Sequence, residues 1–328
     1  MNNIKKIGMT ALAASLVSTS VFAGELTVSG SASMSYENYS TTDVAAAASN
    51  NRNFTQGNEI NFAGGGELDN GLTVALAFQL DEGSASGNGT SPLFDNHSVT
   101  ISSDALGSFS LSGHGGSSAA SALDTTAAGD IFDNFDATAS IAATEVFNGS
   151  KAGNNIMKYT LPSMVDGLSV AVSYQAGGNA NAGSGSSTAY GATYTGVEGL
   201  TVSYGVGDDN DTAADEREVS TMSASYAYGS FTLSMSESEN DATTATTDQK
   251  LKSMAVSYTV TDDLSVTYGE ETFENAADAV DPEYSSFKVA YTSGGMTITA
   301  GTQSAENADG TATDNDVDYN FLTLGFAF

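Results

Sequence analysis

The stretch YNFLTLGFAF, Tyr319 to Phe328, decides the reading of this chain. Leu322, Leu324, Phe326 and Phe328 alternate with Thr323, Gly325 and Ala327, and the sequence stops there. That is the period of a β-strand, whose side chains project alternately to two faces. The chain carries 40 acidic against nine basic residues, so a bare aromatic strand at its end asks what those apolar side chains touch.

The same rhythm runs upstream. Leu168, Val170, Val172 and Tyr174 alternate with Ser169, Ala171, Ser173 and Gln175. Leu200, Val202, Tyr204 and Val206 do so with Thr201, Ser203 and Gly205, and similar sets begin at Phe231, Leu264 and Met296. One face is apolar. The other is Ser, Thr, Gly and Ala with few charges, which suits a crowded or water-filled interior better than the charged outside of a soluble sandwich.

Sixteen strands are expected, near 25–36, 57–67, 72–80, 96–103, 108–115, 153–161, 168–176, 188–195, 200–207, 218–227, 230–237, 250–260, 264–272, 283–292, 296–303 and 317–328. Short connections alternate with long ones. The short ones are Leu68–Gly71, Asp104–Gly107, Pro162–Gly167, Gly196–Gly199, Tyr228-Gly229, Thr261–Asp263 and Ser293–Gly295, several built on the Asn-Gly and Asp-Gly chemistry of hairpins. The long ones are 38–56, 81–95, 116–152, 177–187, 208–217, 238–249, 273–282 and 304–316, rich in Asp, Glu, Ser, Thr, Asn and Gly. This is an up-and-down antiparallel meander with long loops at one end, and an even strand count lets its edges pair and close.

Residues 1–23 read as a cleaved signal peptide: Lys5 and Lys6, a short apolar run from Ile7 to Val17, and the small-x-small site Val21-Phe22-Ala23. The working domain is then 24–328, which keeps 40 acidic and seven basic residues. Such charge repels nucleic acid and attracts cations. The absence of Cys excludes disulfides and thiol catalysis. No segment supplies the ~18 apolar residues of a spanning helix, whereas strands of eight to twelve residues match the ~9–11 that a tilted transmembrane strand needs. In hydrocarbon every backbone group must be satisfied internally, so an all-β protein crosses only as a closed barrel. Tyr174, Tyr194, Tyr204, Tyr226, Tyr228, Tyr258, Tyr268 and Tyr291 share parity with the apolar sets and are expected to face lipid. Lys250 and Lys252 share that parity at the loop end, either reaching lipid phosphates or solvated beside an acidic loop.

With its signal segment, its first strand G-E-L-T-V-S-G (24–30), its loop–turn alternation and its closing strand ending on Phe328, the chain resembles the general bacterial porins of the Gram-negative outer membrane. The resemblance implies a sixteen-stranded homotrimer with a water-filled pore in each subunit, set among outer-membrane lipid and lipopolysaccharide. It also implies that Leu322, Leu324, Phe326 and Phe328 are the signal read by the outer-membrane assembly machinery. In porins the third long loop commonly folds into the barrel and narrows it. Here that loop is 116–152, with Asp124, Asp130, Asp133, Asp136 and Glu145 as candidate constriction acids and Ile131, Phe132 and Phe135 as candidate wall anchors. The P-E-F-G-G type motif of well-known members is absent from it.

Parity puts Lys158 and Lys288 on the inner wall, where they are expected to face the acidic loop. Acids outnumber bases, which predicts a cation-preferring pore. No cofactor is expected. Asp208, Asp209, Asp211, Asp314, Asp316 and Asp318 are weak candidates for Ca²⁺ or Mg²⁺ through hard oxygen ligands, in runs that lack the Gly and distal Glu of an EF-hand. Three other readings stand beside the diffusion pore: a substrate-specific nutrient channel of the same barrel class, a secreted adhesin, and a hydrolase using His97 or His114. Parity points His97 outward and His114 inward, and no nucleophile motif surrounds any serine.

Overall fold

A computed structural model of the chain describes residues 26–41, 52–81, 96–135, 147, 149–150, 152–177, 185–210, 216–243, 247–308, 310 and 316–328. The signal segment 1–23 lies outside them. Strands β1 (Thr27–Thr41), β2 (Arg52–Glu67), β3 (Thr73–Asp81), β4 (Asn96–Ser103) and β5 (Gly107–His114) lead to a short ribbon of β6 (Gly116–Ser117) with β7 (Ala152–Gly153). The chain continues through β8 (Ile156–Thr160), β9 (Leu168–Gln175), β10 (Ser187–Val197), β11 (Leu200–Asn210), β12 (Glu216–Tyr228) and β13 (Phe231–Ala242). It ends with β14 (Gln249–Thr261), β15 (Leu264–Asn275), β16 (Glu283–Ser293), β17 (Met296–Glu306) and β18 (Val317–Ala327).

All but β6 and β7 form one closed antiparallel barrel of sixteen strands, each bonded to its neighbours in sequence. Closure is made by β1 and β18, in register from Ser31↔Ala327 to Thr41↔Val317. Two backbone hydrogen bonds between Gly30 and Phe328, 2.9 and 3.0 Å, extend that seam. No helix of the described residues is long and apolar enough to cross a membrane.

Several strands outrun expectation at the loop end: β2 starts at Arg52, β12 at Glu216, and β13 and β15 run to Ala242 and Asn275. The apolar pattern stops earlier there because the outward residues become charged, but the backbone ladder needs only a partner strand and continues into water. Lys250 and Lys252 sit at the same end, at the start of β14. Lys250 pairs with Glu239 and, at 3.1 Å, with Glu237; Lys252 pairs with Glu274. β8 is shorter than expected, because Ala152 and Gly153 leave the barrel to pair with Ser117 and Gly116. The turn after β12 is Gly229-Ser230 rather than Tyr228-Gly229, with Gly229 at φ +60°.

The two faces divide as the alternation requires. All eight tyrosines assigned to the lipid side are exposed, among Leu233, Met235, Met254 and Val256. Inside, hydroxyls pair across strands: Ser35 with Thr323 at 2.8 Å, Thr193 with Ser203 at 3.0 Å, Thr221 with Ser238 at 2.8 Å and Ser257 with Thr267 at 2.9 Å. One part of the inner wall breaks that rule. Leu251, Ala255, Phe273, Tyr284, Ala305, Val317 and Tyr319 form a buried apolar patch within the barrel.

Candidate pore constriction

That patch is covered by the segment 118–135, which crosses the barrel interior. Its path is set by hydrogen bonds to inward side chains of successive strands. Ala119 N–H donates to Ser173 Oγ of β9 at 2.8 Å, Ala127 N–H to Ser236 Oγ of β13 at 2.9 Å, and Ala128 N–H to Ser253 Oγ of β14 at 2.8 Å. Phe132 N–H donates to Glu271 Oε2 of β15 at 3.1 Å. At the far end Tyr39 of β1 donates its hydroxyl proton to the Asn134 carbonyl at 3.0 Å. The small inward residues of the wall make room for this contact. A Cβ on Gly269 would lie 2.6 Å from that of Ala128, and one on Gly191 would lie 2.2 Å from the Ala119 carbonyl oxygen.

Apolar burial then fixes the tip. Ile131 is fully buried, and Phe132 and Phe135 nearly so. Phe132 packs on Phe273, and Phe135 packs on Tyr284 and Tyr319, with ring centroids 5.7–6.4 Å apart. Between the anchors a tight turn forms. Thr126 Oγ1 accepts the N–H groups of Gly129 and Asp130, and Asp130 Oδ1 accepts that of Thr126 at 3.1 Å. Gly129 and Asp130 have φ of +86° and +51°.

Asp124, Asp130 and Asp133 all lie on this segment, with Asp133 exposed and the other two half-buried. Asp136 and Glu145 fall outside the described residues. Burial pushes the Asp124 carboxyl up to about 6, helped by the charge of Asp130. Burial and Asp130 also raise Asp133. Lys158 and Lys288 lie on the inward parity of their strands. Lys288 donates to the Ala128 carbonyl at 3.2 Å, beneath the segment itself. Lys158 stands in register with Ser173, beside the segment's start.

The wall that the segment leaves bare is β2–β5. Its inward residues, fixed by the register Ser31↔Glu59 and Asn61↔Gln79, include another acid. Glu59 accepts from Asn61 Nδ2 at 3.1 Å and from Gln79 Nε2, and next to it Glu37 of β1 accepts from Thr55 at 3.2 Å. Sequence reasoning missed Glu37, Glu59, Arg217 and Glu271. Each has inward parity within its strand, so strict alternation carried through the charged strand ends would have found them. The aromatic anchors Tyr39, Tyr284 and Tyr319 were missed because an inward apolar residue has no meaning until something covers it.

The imidazoles of His97 and His114 run parallel with centroids 6.5 Å apart, so the two share a side of the sheet instead of facing opposite ways. A register shift at His97/Ser98 turns His114 from the inward parity expected of it. Among the described residues no three His, Asp or Glu side chains come together to hold a metal. Asp208 instead accepts the Thr188 N–H, Asp316 and Asp318 flank the start of β18, and Asp211, Asp314 and the Asp209 side chain fall outside the description. Leu322, Phe326 and Phe328 are exposed on the barrel exterior, with Leu324 half-buried between them.

A sequence profile of the Gram-negative porin family matches residues 8–292. The chain belongs to the Gram-negative porin family. It is an outer-membrane channel protein, not an enzyme. Solved porin structures share its fold at low sequence identity. A Salmonella typhi OmpF, solved in complex with daunomycin, superposes with a TM-score of 0.68 at 15% identity, over 93% of this porin and 98% of that chain. A Rh. blastica porin mutant gives 0.64 at 14%, and a porin refined at 1.8 Å gives 0.62 at 19%, each over 93% of this porin and 100% of the other chain. No individually curated protein is similar enough in sequence to count as a relative of this porin.

Proposed function

We propose that this porin is a cation-preferring channel for passive diffusion of small hydrophilic solutes, with the segment 118–135 as its constriction. The observation that carries the reading is the charge on both sides of the opening. Asp124, Asp130 and Asp133 stand on the segment, Glu37 on the inner face of β1 and Glu59 on that of β2. Lumenal carboxylates favour cations, and Lys288 is bonded to the segment's own backbone.

The remainder of the reading rests on family likeness. The working unit is a homotrimer in lipopolysaccharide-bearing membrane, and the strand ending in Leu322, Leu324, Phe326 and Phe328 directs assembly. The test is the triple variant Asp124→Asn, Asp130→Asn, Asp133→Asn in a planar bilayer. Its cation-to-anion permeability ratio should fall while single-channel conductance at high salt is retained. An unchanged ratio would remove the constriction role from these residues.

A further inference from the structure

Glu271 is 2% exposed and lies mid-strand on the inner face of β15, below the charged strand ends. Among the described residues its carboxylate has no cation paired to it. Its partners are instead donors from the crossing segment and one neighbour. Oε1 accepts the hydroxyls of Thr126 and Ser253, the latter at 3.2 Å, and Oε2 accepts the Phe132 N–H at 3.1 Å. A buried carboxylate without a counter-ion is costly unless its lone pairs are filled. The N–H groups of Ala119, Ala127 and Ala128 are met by serine hydroxyls of the wall instead.

Thr126 is also the keystone of the turn, since its Oγ1 takes the N–H groups of Gly129 and Asp130. Ser253 meanwhile holds the Ala128 N–H. One side chain therefore ties together the turn that carries Asp130, the buried anchor Phe132 and the adjacent strand. We infer that Glu271 is the positioning residue that fixes the constriction segment to the wall and so sets the open cross-section of the pore. This deepens the proposed function and rests on it for the word constriction.

The geometry gives a graded set of variants. Glu271→Gln can keep its oxygen on the Phe132 N–H but puts an amide donor where Oε1 accepted the Thr126 and Ser253 hydroxyls, so it retains only part of the set. Glu271→Ala leaves the Phe132 N–H without its acceptor and frees the turn. Each hydrogen bond lost from a charged acceptor favours the undocked segment by about tenfold or more. Two readouts on the refolded full barrel test this. The first is amide hydrogen exchange of residues 118–135. The second is open-channel current noise in a bilayer, which a purely structural role would not move.

Glu271→Ala should accelerate exchange in that segment and raise current noise several-fold, with Glu271→Gln giving the same changes at smaller amplitude. If Glu271→Ala fails to refold, Thr126→Val, which removes the donor to Glu271 and the acceptor of the Gly129 and Asp130 N–H groups, should give the same changes. Wild-type exchange in these variants would overturn the latch. Faster exchange with unaltered current would leave the latch standing and overturn the constriction reading beneath it.

Discussion

Asp124 is half-buried in the barrel beside Asp130, and its carboxyl titrates near 6. An acid raised in this way is charged at a cost in the folded protein. The site's contribution to stability is greatest below the ordinary carboxylate range and falls as pH rises through about 6. Its charge runs the other way, and so does its effect on ions. Cation preference should therefore show a first decline between about pH 7 and 5, ahead of the general loss near pH 4. Asp124→Asn should abolish that first step in reversal-potential measurements and leave the second. Gly269 makes a steric prediction. Its missing side chain lets Ala128 reach the wall, and a Cβ there would stand 2.6 Å from that of Ala128. Gly269→Val should push the segment into the lumen and lower single-channel conductance, where loss of Glu271 should raise noise.

Among the elements, β18 closes the barrel and β13 illustrates its two faces. Removing residues 322–328 would delete the register from Tyr36↔Leu322 to Ser31↔Ala327 and leave half of β1 as an open edge. In lipid those unpaired groups have no solvent, so the truncated chain should yield no heat-modifiable folded band on gels. Phe328→Ala keeps the ladder. It should refold in detergent yet accumulate less in outer-membrane fractions, if the terminal aromatic serves assembly. On β13, Leu233 is exposed between Phe231 and Met235, whereas Ser234 bonds to Ser225 at 3.2 Å on the inner side. Leu233→Arg should cost roughly 2–4 kcal/mol in urea unfolding from lipid vesicles. Ser234→Arg should leave unfolding nearly unchanged and shift ion selectivity instead.

For the whole molecule, period two and the alternation of short and long connections were enough to read sixteen strands and their order, because both report local geometry. Strand ends at the loop side were not legible, since outward Glu218, Glu239 and Glu274 look like loop residues although their backbones stay paired. The acids of the third loop could be named from the sequence. Their setting could not, because it depends on contacts between residues far apart in the chain: Thr126 with Glu271, Asn134 with Tyr39, Ala119 with Ser173. Lys288 shows the same limit. Parity puts Lys288 inside, and only the fold puts it beneath the loop.

The proposed channel is a water-filled barrel whose narrowest part is lined by acid. Its most direct test is the zero-current potential of the refolded, wild-type protein in a planar bilayer under a potassium chloride gradient at neutral pH. Stepwise ohmic conductance, with a potential of the sign set by potassium passing faster than chloride, is the predicted result. A chloride-signed potential, or a folded protein that inserts without conducting, would contradict it.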